Sequence, residues 1–356
     1  MREDFSQDTI DSLKARAGYA CSFPGCHAPT SGPSQESATK TANTGVAAHI
    51  CAASQGKGAR RRLDLSRFSK SLLSDYSNGI WMCETHAKLI DTDEVRFTVE
   101  MLSRWRELAE LRASLGQQTG RSVQVHLREG HEVPLAVVGR SITRVGTDVT
   151  NDLCDAVLDS CIVDVWGKDI GYAVRDAVAE LMNNAFTHGG AREFKLDIDL
   201  NRVQVRSDDG PYSFGQLLSD TKGHGGQQAA ASLMKLNDRL ITSYRREDGY
   251  NVLDIDFVTS SEQVLRTTAC SVDYGDFVTT LEFQDQLPAM YTRCETIYVV
   301  LGPRQHLVPS AARNLAGRLQ TLAAAQKRIV LIGSAISEGV VLMLQGHFPD
   351  MQVMQV

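Results

Sequence analysis

Cys21 and Cys26 flank the short knuckle Ser22-Phe23-Pro24-Gly25, and a second two-ligand step, Cys83-x-x-His86, follows much later in the chain. Paired thiol and imidazole ligands at both ends suit one tetrahedral zinc, and four protein ligands make a closed, structural site rather than a catalytic one with an open position. The chain has eight cysteines. With no secretory leader and no apolar run of about 18 residues, they predict a soluble, cytoplasmic protein without a membrane partner, in which a disulfide framework is disfavoured.

Inside the stapled segment stand His49, in Ala-Ala-His-Ile, and Asn78, just before Gly79-Ile80-Trp81-Met82-Cys83. An imidazole with an ordinary pKa of about 6.5 can take a proton from water near neutral pH. The Asn78 amide cannot titrate, and suits fixing either a backbone or the ring of His49. A histidine after two alanines is more commonly a satisfied core residue, so the neighbouring words decide. The run Lys57-Gly58-Ala59-Arg60-Arg61-Arg62, followed by Arg67 and Lys70, sits in a chain of formal net charge -6. A basic cluster in an acidic protein suits phosphate contacts without base discrimination, against the plainer reading of a solvated charge run. Residues 98–111 place Leu102, Trp105, Leu108 and Ala109 at helical spacing, as a core-facing stripe.

The order C-x4-C, His49, Asn78, C-x2-H resembles the HNH, or ββα-metal, nucleases over about residues 10–112. The words TSGPS, GVAAHICAAS, NGIWMC, AKLID and RFTVEMLSRWRELAE are similar to the effector branch of bacterial anti-phage systems. The resemblance implies a strand ending at His49, a turn, and a helix carrying the last zinc ligands. It also implies His49 as general base and one divalent ion, Mg²⁺ or Mn²⁺, at the scissile phosphate of double-stranded DNA. One departure is Ala87, where many members carry a second histidine for that ion; His27 and Asp91 are the substitutes in reach of the sequence.

At 356 residues the chain is too long for one small nuclease. Residues 113–133 have no sustained apolar period and are expected to be a linker. Beyond it, Val174, Ala177, Val178, Leu181 and Ala185 make one helix face, with Glu180 and Asn184 one turn apart on another. A hairpin over 193–206 then delivers Ser207-Asp208-Asp209-Gly210, and Lys222-Gly223-His224-Gly225-Gly226 opens a helical pattern at 227–240. Asp-x-Gly can meet an amine-bearing base, and glycines before a helix offer free N–H groups to phosphate.

These three boxes, in this order over residues 134–290, resemble the GHKL ATPases, the superfamily of gyrase, histidine kinases and MutL. The resemblance implies Asn184 as ligand of an ATP-bound magnesium and Glu180 as the residue orienting the attacking water. Asp208 with Gly210 would receive adenine, and Gly223, Gly225 and Gly226 would face the phosphates. Such modules often dimerise, so a homodimer or larger homo-oligomer is expected. The second glycine of the Asp box is absent, because Pro211-Tyr212 follow, and the lid before Gly223 is short. Thr279 or Thr280, in an expected strand over 277–283, could supply the family's closing threonine.

Residues 291–356 read as alternating strands and helices, an α/β pattern either packed on the preceding domain or forming a small third one. The expected architecture is multidomain α+β: a zinc-stapled HNH domain, a GHKL α/β sandwich and a small C-terminal α/β segment. The expected activity is a DNA endonuclease under ATP control, serving defence with further defence-system proteins. The alternative is a non-cleaving, ATP-switched DNA-binding or signalling component.

Overall fold

The computed structural model describes residues 2–128, 140–145, 151–199, 201–211, 229–233, 236, 239–279, 287–303 and 305–355. They divide into two compact units, the first built mainly from residues up to Leu127 with Leu158–Lys168 returning to it, the second from the remainder.

In the first unit, helix α1 (Gln7–Arg16) starts where Ser6 accepts the Thr9 N–H. A ribbon of β1 (Ser31–Pro33) and β2 (Thr41–Asn43) follows. Strands β3 (Gly45–His49) and β4 (Gly79–Cys83) then pair antiparallel, His49 opposite Gly79, and Cys83 caps helix α2 (Glu84–Ile90). This is a strand–strand–helix unit. Its glycines are sites of close approach: a Cβ on Gly45 would lie 2.1 Å from the Trp81 ring, and one on Gly79 2.4 Å from Leu13.

Helix α3 (Val99–Thr119), capped by Thr98, buries Met101 together with the expected Leu102, Trp105, Leu108 and Ala109. It runs through the expected boundary at 112 and ends only where Gly120 takes φ +68, its N–H bonding the Gly116 carbonyl. A further helix covers Val123–Arg128, so the described part of the expected linker, residues 113–128, is largely helical. The short helix Ile162–Trp166 belongs to this unit too. Trp105 donates to the Asp159 carbonyl at 2.9 Å, and Arg96 pairs with the buried Asp159 carboxylate at 2.8 Å.

The second unit holds an antiparallel sheet in the order β5-β6-β7-β9-β8, with β5 Arg140–Val145, β6 Glu193–Asp199, β7 Arg202–Ser207, β8 Leu240–Glu247 and β9 Tyr250–Phe257. The hairpin expected over 193–206 is β6–β7, with Asp199 opposite Arg202. Before it comes α4 (Lys168–Thr187), whose Val174, Ala177, Val178, Leu181 and Ala185 are all buried, and whose Phe186 meets Phe194 of β6 at a ring separation of 6.3 Å.

A second, parallel sheet follows, in the order β10 (Ser271–Asp273), β11 (Thr296–Val300), β12 (Arg328–Gly333), β13 (Gln352–Gln355), with α5 (Pro309–Ala324) and α6 (Glu338–His347) as crossovers. Leu315, Leu319, Val340 and Leu344 of those helices share a core with Ile297, Val299 and Leu331. The opposite face, Tyr298, Val300 and Ile332, packs with Ile241 and Val258, and the Tyr298 hydroxyl donates to the Thr242 carbonyl while accepting its N–H. The C-terminal α/β segment is therefore docked on the first sheet.

Three expectations need correction here. The parallel layer begins at Ser271, inside the range assigned to the preceding domain, because β10 pairs with β11. Residues 277–279, expected to open a strand over 277–283, instead end the helix Tyr274–Thr279, which places Thr279 at a helix end; Thr280 lies outside the described residues. Cys270 and Cys294, expected as free thiols, form a disulfide, since the β10–β11 pairing brings together residues that are 24 apart in sequence. Of the helix expected over 227–240, residues 229–233 are helical, and Leu240 already opens β8. Among the described residues no helix is long and apolar enough to cross a membrane.

Candidate functional site

The zinc-type ligands converge. The ligand atoms of Cys21, Cys26, Cys83 and His86 all lie within 4.8 Å of one another, with His86 Nδ1 3.6 Å from Cys21 Sγ and 3.2 Å from Cys83 Sγ. A tetrahedral zinc with bonds of about 2.0–2.3 Å needs ligand separations of roughly 3.3–3.8 Å, so the donor set fits such an ion. Burial pushes the Cys21 thiol up to about 12, and a bound cation would favour its ionised form. The surroundings hold the ligands in place. The Phe23 ring stacks on His86 at 3.9 Å and meets Trp105 edge-on, while the Phe23 N–H points at Cys21 Sγ. On the knuckle, the Gly25 N–H and His27 Nε2 both close on the buried Asp164 carboxylate.

His49 closes β3. Its Nε2 lies 3.0 Å from the Glu3 carbonyl and its ring stacks on Phe5 at 3.9 Å, with 10° between planes. Burial holds its pKa below the ordinary value, against the opposing pull of the Glu3 carbonyl. Asn78, itself buried, turns to backbone rather than to the His49 ring. Its Oδ1 accepts the Cys51 N–H at 2.7 Å, and its Nδ2 donates to the carbonyls of Cys51 and Leu73, each at 2.9 Å. Three hydrogen bonds from one amide thus tie the turn that leaves His49 to the Leu73 backbone.

The basic loop divides. Lys57, Arg60 and Arg62 are exposed, and Arg60, Arg62, Gly58, Ala59 and Glu94 line a shallow cleft. Arg61 is the correction. Its side chain is 3% exposed, with Nε donating to the Ile50 carbonyl at 2.6 Å, Nη1 to the Ile90 carbonyl at 2.5 Å and Nη2 to Asp91 at 3.0 Å. A guanidinium so committed has nothing to offer a phosphate; it bolts the end of β3 to the end of α2. Asp91 is held by that contact and His27 by Asp164, and neither joins His49 in a second group of three metal-type ligands among the described residues. Ala87 is buried in α2.

In the second unit, Glu180 and Asn184 are half-buried, one turn apart on α4. Just beyond, Gly189 meets the carboxylate of Asp209, which a Cβ at Gly189 would approach to 2.5 Å. Asp208 Oδ1 accepts the N–H groups of Arg192 and Glu193 at 2.7 and 2.9 Å, while Oδ2 faces the exposed Arg192 at 3.4 Å. Burial opposes ionisation of Asp208, but the backbone N–H bonds outweigh it and lower its pKa. Asp209 is the buried member of the pair. Ser207 Oγ and Asn251 Nδ2 each donate to its Oδ1 at 2.6 Å, and the same Asn251 amide donates to the Gly210 carbonyl at 2.9 Å. Gly210 is thus held from β9, a contact that spacing in the sequence does not signal. Gly223, Gly225 and Gly226 lie outside the described residues.

No family model matches the chain, and neither a curated protein nor a solved structure matches it significantly. The geometry of the two sites therefore bears the functional argument.

Proposed function

We propose that the first unit is a metal-dependent DNA endonuclease of the HNH, ββα-metal kind, and that ATP bound at the second unit governs it. The observation that carries this reading is one arrangement: a strand–strand–helix unit with His49 at the strand end, the turn behind it pinned by Asn78, and a Cys/His metal cluster at the opposite end of β4. His49, depressed in pKa by burial, stays neutral at physiological pH and can take a proton from water. Lys57, Arg60 and Arg62 are exposed and within reach of phosphates, Arg60 beside Glu94 at 3.9 Å. A Mg²⁺ or Mn²⁺ ion would supply charge stabilisation at the phosphate. Among the described residues no second group of three metal-type ligands lies beside His49, so protein side chains there would supply only part of such an ion's shell.

For the second unit, Glu180 and Asn184 stand one turn apart, and Asp208 holds the loop through Oδ1 while its Oδ2 pairs with the exposed Arg192, which an amine would have to displace or share. ATP with Mg²⁺ is the ligand this arrangement suits, Asn184 holding the metal and Glu180 orienting water. Pairing of two copies on ATP binding would bring two nuclease units to one duplex. A defence role, with partner proteins of such a system, rests on the likeness of about residues 10–112 to anti-phage effectors.

A non-cleaving, ATP-switched DNA clamp is the second reading. The buried Ala87, where a metal-holding histidine would stand, favours it. Plasmid nicking with Mg²⁺ or Mn²⁺, with and without ATP, decides between them: cutting that His49→Ala abolishes while zinc content persists supports the nuclease, and tight DNA binding without cutting supports the clamp.

A further inference from the structure

We infer that the segment Glu3–Phe5 is a working part of the site around His49: the Glu3 carbonyl and the Phe5 ring together hold the imidazole with Nε2 protonated and Nδ1 presented as the base. The inference rests on the nuclease reading above, and concerns how the histidine is set up for its task.

A backbone carbonyl can only accept, so the 3.0 Å contact to His49 Nε2 requires the proton on that nitrogen. In the neutral ring the lone pair then belongs to Nδ1, and among the described residues nothing hydrogen-bonds Nδ1. One nitrogen is therefore fixed as donor and the other left as acceptor, the condition a general base needs. The near-parallel Phe5 ring at 3.9 Å removes the remaining freedom, rotation of the imidazole plane.

The segment is itself anchored at more than one point. The Glu3 N–H donates to the Ala53 carbonyl at 3.0 Å, just past the turn that Asn78 pins, and the Glu3 carboxylate pairs with Lys70 at 2.6 Å. Phe5 also packs against the Leu13, Ala17 and Trp81 cluster, which ties it to α1 and β4. Contacts of this kind position a ring; none of them reaches a substrate, so Phe5 is a positioning residue. The charged groups that act on His49 are Arg2, Asp4 and Asp91, of which the carboxylates favour the protonated ring and Arg2 opposes it.

The test uses the full chain and two variants, Phe5→Ala and Phe5→Tyr. Phe5→Ala is expected to slow plasmid nicking on the order of 10- to 100-fold, the cost of a misplaced reacting group. It should also move the acid limb of the pH–rate profile upward, since removing the ring re-hydrates the imidazole. Zinc content should be unchanged, and Phe5→Tyr should restore rate and limb. Long-range ¹H–¹⁵N spectra of labelled histidine read the tautomer without any turnover: Nε2–H in the wild type and in Phe5→Tyr, a tautomer mixture in Phe5→Ala. An Nδ1–H ring in the wild type, an unaltered rate and limb in Phe5→Ala, or faster cutting by it, which would make the segment a cover, each overturns the inference. If the wild type cuts no DNA, the nuclease reading fails, and the tautomer spectra still decide whether Glu3 and Phe5 set the ring.

Discussion

The side-chain amide of Asn78 brackets the peptide of Cys51, accepting its N–H at 2.7 Å and donating to its carbonyl at 2.9 Å, two residues beyond His49. Asn78→Asp keeps shape and acceptor but removes both donors, leaving the Cys51 and Leu73 carbonyls unpaired in a buried place. Each such loss costs about 1–3 kcal/mol. Urea unfolding should show the first unit destabilised by that order, with nicking lost at denaturant concentrations where the wild type still cuts. Unchanged stability would mean that the turn holds itself.

Arg61 and Arg60 are neighbours with opposite expected phenotypes. Arg61→Ala strips the donors from the Ile50 and Ile90 carbonyls, for an expected loss of about 2–4 kcal/mol in stability. Arg60→Ala, on an exposed side chain, should leave the melting curve in place, weaken DNA binding and reduce the slope of log affinity against log salt by about 1. Reversal of the two results would remove Arg61 from the core and Arg60 from the DNA.

That contrast marks what could be read in advance. Cys21, Cys26, Cys83 and His86 were legible because metal geometry leaves few spacings open, and the α4 face because helical period is a local property. Arg61 was not, since a buried guanidinium and a solvated one look alike within a basic run, and the difference lies in carbonyls from two other elements. Glu3 and Phe5 carry no signal at all toward His49, which is 46 positions from Glu3. The Asn251 contact to Asp209 and the Cys270–Cys294 bond likewise depend on strand pairing, which no local pattern specifies.

The zinc cluster should behave as one equilibrium with folding. Cys83→Ser, or prolonged chelation, is expected to release one zinc per chain and unfold the first unit, read by elemental analysis and circular dichroism. Retention of the full zinc content in Cys83→Ser would remove Cys83 from the ligand set.

The pH dependence of cutting follows from His49. Its pKa is lowered by burial, so the folded chain binds this proton less readily than the unfolded chain, whose histidine keeps a value of about 6.5. Stability falls as pH drops below that unfolded value, and the base remains neutral there for longer than a free histidine would. The acid limb of the rate profile should therefore lie below pH 6.5. A limb above that value, with zinc still bound, would assign the titration to another group.

The two acidic residues of the second unit separate binding from turnover. Asp208→Asn retains an Oδ1 that can go on accepting the Arg192 and Glu193 N–H bonds, so the loop should stay in place while the second carboxylate oxygen, paired with the exposed Arg192 side chain, becomes an amide. An acceptor for the adenine amine is exchanged for a donor, and titration calorimetry should show ATP affinity reduced by at least 10-fold, the scale of one lost hydrogen bond plus an opposed donor. Glu180→Ala removes no contact to the loop and should bind ATP nearly as the wild type does, yet give no phosphate release, trapping the ATP-bound form. If that trapped form nicks plasmid constitutively, ATP occupancy is the activating signal; if it is silent, hydrolysis is required. Absence of any heat or thermal shift in the wild type at millimolar ATP would remove nucleotide from the function altogether and leave the second unit as a scaffold.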